Sequence, residues 1–135
     1  MKKYENFVSN LMILMKADKE DRENEFIISG IIDKFFLQFE LGWKLLKELL
    51  KYEGKRTAVS GSPREIIKAA YALYDFMDED IWLSMLKERN SMTHIYDGAA
   101  ARVLVDHILG QYLPAFCKMK EAIEKQYGDM LKGEL

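Results

Sequence analysis

At 135 residues the chain is of single-domain size, and 49% hydrophobic with 31% charged residues is the balance of a packed, water-facing globule. A net charge of −2 excludes a broadly basic surface of the nucleic-acid-binding kind, though not a local patch. One cysteine, Cys117, excludes an intrachain disulfide and fits a reducing compartment, while two histidines and no Cys–His spacing speak against zinc.

Taken in chain order, the hydrophobic spacing predicts five helices and no strand. Tyr4, Phe7, Val8, Leu11, Leu14 and Met15 form the stripe of a first helix ending near Ala17, and the charged stretch 18–25 is a turn. A long second helix follows to about Tyr52 with two apolar seams. One runs through Phe36, Phe39, Trp43, Leu46 and Leu50, the other through Phe35, Gly42, Leu45 and Leu49. A helix apolar on two sides touches partners on two sides, so it is central to a bundle or shared with a dimer interface. Segment 26–50 also carries Asp33, Lys34, Glu40, Lys44, Lys47 and Glu48, charges too frequent for a bilayer, and 11–15 is too short for a secretory leader. A cytoplasmic protein without membrane contact is expected.

Residues 53–62, with Gly54 and Gly61, break the pattern, and Ser62-Pro63 starts a third helix as N-cap and first-turn proline. Ile66, Ile67, Ala70, Leu73 and Tyr74 carry its stripe. Asp78 caps a fourth helix with Ile81, Trp82, Met85 and Leu86 inward. Asp97-Gly98 opens a fifth, which Pro114 should bend. The expected fold is all-α: an antiparallel up-and-down four-helix bundle with one additional short helix. Residues 1–127 form its single domain, and 128–135, with two glycines and little periodicity, a frayed tail.

Charges interrupt this pattern at informative places. Arg89 continues the apolar stripe of helix four, four after Met85, and Glu40 lies between Phe36 and Trp43 on helix two, with Asp33 one turn earlier. Buried and unpaired, each would be costly, so each needs a partner or an aqueous pocket. An Arg89–Glu40 ion pair fixing helix register and a polar pocket in the bundle wall both meet that requirement. Just beyond, 89–97 reads Arg-Asn-Ser-Met-Thr-His-Ile-Tyr-Asp, bringing a fixed cation, a neutral-pH proton carrier and a phenol within eight positions. Arg89 and His94, five apart, are about 140° apart on an unbroken helix. They converge only if the helix ends between them or a second subunit brings its own copy alongside. The set of candidate site residues is Arg89, His94 and Tyr96 with Glu40, Trp43, Asn90 and Asp97 around them. No metal ligand set is apparent, and His107 reads as structural. Ser60-Gly61-Ser62, before a helix N-terminus, is an anion-site candidate, and the flanking Lys51, Lys55, Arg56, Arg64 and Lys68 read either as a solvated face, the favoured account, or as residues that attract phosphate.

Gly30-Ile31-Ile32-Asp33-Lys34-Phe35, Phe39-Glu40-Leu41-Gly42-Trp43-Lys44, Ser62-Pro63-Arg64-Glu65, Trp82 and the run 89–97 occur in that order. Together they resemble the nucleotidyltransferase substrate-binding protein family, a branch of the HEPN (nucleotide-binding) superfamily. The resemblance implies a homodimer and a separately encoded partner, a minimal nucleotidyltransferase of the polymerase-β type. That partner would supply nucleotide and Mg²⁺, since this chain has no Gly-Ser plus Asp-x-Asp arrangement and is expected to hold no cofactor itself. A second implication is a metal-independent HEPN ribonuclease of the toxin–antitoxin kind. There Arg89 and His94 would be catalytic on RNA, and Tyr96 would be the hydroxyl adenylylated by the partner. The Phe-Glu-Leu-x-Trp-Lys segment and the acidic net charge favour the first, a non-catalytic binding subunit.

Overall fold

A 28-residue helix, Glu25–Tyr52, is the axis on which the rest of the chain is laid. The computed structural model describes residues 1–91 and 97–132, and among them all regular structure is helical, with no strand. In order come α1 (Lys2–Leu14), α2 (Glu25–Tyr52), α3 (Thr57–Ser60), α4 (Pro63–Leu73), α5 (Glu79–Asn90), α6 (Gly98–His107) and α7 (Leu113–Lys132). A 3₁₀ turn, Met15–Lys19, closes α1, and a π-helical turn, Ile108–Tyr112, joins α6 to α7.

The helix starts follow from side chains that satisfy orphan backbone donors. Asn24 accepts from the amides of Phe26 and Ile27 at 2.8 and 3.3 Å. Asp78 accepts from Ile81 at 3.2 Å, and Asp97 from Ala99 at 2.9 Å. Ser62 and Glu65 form a reciprocal capping box ahead of α4, with Pro63 in its first turn. Ser62→Ala is therefore expected to cost about 1 kcal/mol, read as a midpoint shift in urea unfolding. An unchanged midpoint would show that the cap contributes nothing.

Helix α2 packs against α1, α3, α4, α5 and α6. Phe35, Phe39, Gly42, Leu45, Leu46, Leu49 and Leu50 are buried on it. Both apolar sides of α2 thus meet helices of the same protomer. Phe36 and Trp43 are only half-buried, so the seam expected through them runs along the shoulder of the core. Asp33 follows Phe36 outward and is exposed, which corrects its expected place inside: it sits in water and needs no partner. Met15 is also 43% exposed. The core is aromatic at its centre. Phe35 stacks on Tyr112 at 5.1 Å between centroids, and Phe116 meets Phe7 and Trp82 edge to face at 6.2 and 5.5 Å.

Seven α-helices among the described residues replace the five expected. The short α3 lies where glycines predicted only a loop. Just before Pro114, where a bend was expected, the helix takes a π turn: proline cannot donate to the carbonyl four residues back, and a widened turn gives its ring room. Helix α7 also continues through Gly128 to Lys132, so the lapse of periodicity at 128 does not end it. Among the described residues no helix is long and apolar enough to cross a membrane.

Candidate functional site

The site starts from a close crossing of α2 and α5. Gly42 has no side chain, and a Cβ there would lie 3.1 Å from Cη2 of Trp82 and 3.3 Å from Cε2 of Phe7. Glycine thus lets the fully buried Trp82 indole seat directly on α2, with Met85 and Leu86 buried beside it. Above this seat the stripe of α5 reaches Arg89, and that of α2 reaches Glu40.

There Arg89 Nη2 and Glu40 Oε1 are 2.8 Å apart, with side chains 35% and 28% exposed. The other oxygen of Glu40 accepts from the Trp43 indole N–H at 2.9 Å and lies 4.0 Å from Lys44 Nζ. One carboxylate therefore engages a guanidinium, an indole and an ammonium. The two cations leave this cluster with a net positive charge. The ammonium of Lys44 also stands 6.0 Å from the centre of the Trp43 ring, within the range of a cation–π contact. Water still reaches the pair, so screening keeps its contribution to stability small. Its evident role is geometric: it fixes the last turn of α5 and the plane of the Trp43 ring.

Of the candidate residues read from the sequence, Glu40, Trp43 and Arg89 are brought into contact. Asn90, one residue on, is exposed and turned to a separate groove between α4 and α5, which also holds Arg64, Asp80, Ser84 and Lys87. The Asp97 carboxylate is committed to the start of α6, accepting from Ala99 and Ala100. Helix α5 ends at Asn90, between Arg89 and position 94, the break that convergence of those two side chains requires. His94 and Tyr96 themselves lie outside the described residues. Lys44 was not singled out from the sequence, although its i,i+4 spacing from Glu40 was the available signal.

Elsewhere the titratable groups favour structural roles. Burial, aided by Glu121, pushes the Cys117 thiol up, away from the thiolate a nucleophile needs. His107 packs edge to face on Tyr112, centroids 6.3 Å apart. Tyr74 donates to Tyr127 at 2.7 Å and Tyr127 to Glu53 at 2.9 Å, and burial holds both phenols above their usual range. Among the described residues no three His, Cys, Asp or Glu side chains gather to hold a metal ion.

Compared with known proteins, residues 1–125 match the family model described as "Nucleotidyltransferase substrate binding protein like". No curated protein matches the chain.

Proposed function

The chain belongs to the nucleotidyltransferase substrate binding protein-like family, and from that premise we propose that it is the non-catalytic binding subunit of a two-component nucleotidyltransferase. A separately encoded, minimal nucleotidyltransferase supplies the nucleotide, the Mg²⁺ and the transfer chemistry. This chain supplies a docking and substrate-holding surface. The observation that carries the reading is the Glu40–Arg89–Trp43 cluster: a polar, partly hydrated surface feature held in fixed geometry by two helices crossing at a glycine. Surfaces of this kind, with an arginine and a tryptophan fixed before the partner arrives, suit binding, because little side-chain freedom is left to lose.

The same cluster weighs against the metal-independent ribonuclease reading. There Arg89 would have to stabilise charge developing on phosphate, and a carboxylate 2.8 Å away neutralises it first. Assembly as a homodimer of up-and-down four-helix bundles belongs to the same proposal. Exposed Ile13 and Phe26, which line one groove between α1 and α2, supply apolar surface for it.

Sedimentation tests the proposal in one experiment. Alone at micromolar concentration, the chain should run at twice 15.8 kDa. Mixed with a minimal nucleotidyltransferase of the polymerase-β type from the same source, it should shift to a heavier boundary containing both proteins. A monomer would remove the dimer, and independent boundaries in the mixture would remove the partner reading.

A further inference from the structure

One turn beyond Glu40, the outer face of α2 becomes basic. Lys3, Trp43, Lys44, Lys47, Lys51 and Val59 line a groove of about 440 Å³ between α1, α2 and α3. Four lysines against the single carboxylate of Glu48 give this lining a charge of +3, in a chain whose total is −2. Lys3 is spent on Glu48 at 3.0 Å, and Lys44 shares Glu40 with Arg89. Lys47 and Lys51 make no ion pair among the described residues. They stand four apart on one helix face, a spacing at which like charges repel. The carboxylate of Glu48 beside them is engaged by Lys3, so an anion held between the two ammonium groups would offset that repulsion.

The remaining walls are apolar. Trp43 presents a half-buried indole whose orientation is fixed by its bond to Glu40. Val59 on α3 is 77% exposed. The volume suits a small molecule, and the mixture of flat apolar wall and mobile ammonium groups specifies its chemistry. We propose that this groove binds a phosphate monoester of a molecule that also carries a flat aromatic ring, with the ring against Trp43 and Val59 and the phosphate between Lys47 and Lys51. The proposal deepens the reading above by naming the class of substrate the subunit holds, and it rests on that reading only for the fate of the ligand. Binding itself requires no transferase.

The test is titration of the isolated chain at low salt, followed by tryptophan fluorescence, since Trp43 borders the groove and Trp82 is fully buried. Phenyl phosphate and AMP are the two probes, separating a simple aryl phosphate from a nucleoside phosphate; inorganic phosphate and adenosine are the controls. At least one of the two esters should give a saturable change, bound at least about tenfold more tightly than either control. Lys47→Gln combined with Lys51→Gln removes both ammonium contacts to the phosphate and should weaken it at least about tenfold. The same double variant should unfold at an unchanged or higher temperature, because a repulsion has been removed. No saturable change with either ester, equal affinity for inorganic phosphate, or equal binding by the double variant would overturn the proposal. Sedimentation with the transferase reads the parent reading separately, so failure of one is distinguishable from failure of the other.

Discussion

Trp82→Ala is expected to destabilise the protein by about 3–5 kcal/mol, the range for emptying an aromatic site in a core. The indole is fully buried, 6.2 Å from the Phe39 ring and 5.5 Å from that of Phe116, and lies against Gly42. Its removal leaves a void where α2, α5 and α7 meet, and three elements cannot all close on it. For a chain of this size the melting temperature should fall by roughly 10 °C or more. The site should suffer as well, because the same indole sets the height at which Arg89 meets Glu40. A loss below about 1 kcal/mol in urea unfolding would contradict the close α2–α5 crossing.

The second large effect concerns two amides in the core. Asn10 donates to the Lys34 carbonyl at 3.0 Å and to Gln38 Oε1 at 2.8 Å, and Gln38 in turn donates to the Phe7 carbonyl at 3.0 Å. Both residues are buried, and the amide of Asn10 can face only one way, since both of its neighbours there are acceptors. Gln38→Met keeps the shape but strips Asn10 of a partner, and should cost about 2–3 kcal/mol. Adding Asn10→Leu should recover most of that loss, because two apolar groups of matching shape leave no orphaned donor. A double-mutant cycle in urea measures the coupling, and simple additivity of the two changes would show that the pair does not act as a unit.

How much was legible in the sequence depended on whether a feature had a period. The caps Ser62, Asp78 and Asp97 stood at breaks in apolar spacing and mark the starts of α4, α5 and α6. Arg89 and Glu40 were visible because a charge inside an apolar stripe is costly, and each is indeed the other's partner. Asp33 was misplaced by the same logic, since it was referred to Phe36, which is itself only half-buried. The four residues of α3 are too few to show periodicity. The Asn10–Gln38 pair was invisible because each amide, taken alone, reads as surface, and only tertiary packing makes them neighbours. Lys47 and Lys51 look like any solvated helix face until Val59 folds over beside them.

The central claim is that the Glu40–Arg89 pair and Trp43 present a preformed surface to the partner. It is tested most directly by calorimetric titration of the nucleotidyltransferase into wild type, Arg89→Gln and Trp43→Phe. Both variants should lose at least about tenfold in affinity, as expected for residues central to an interface. Their own unfolding should shift by about 1 kcal/mol at most, since Arg89 and Glu40 remain a third open to water. Affinities equal to wild type in both variants would contradict the account.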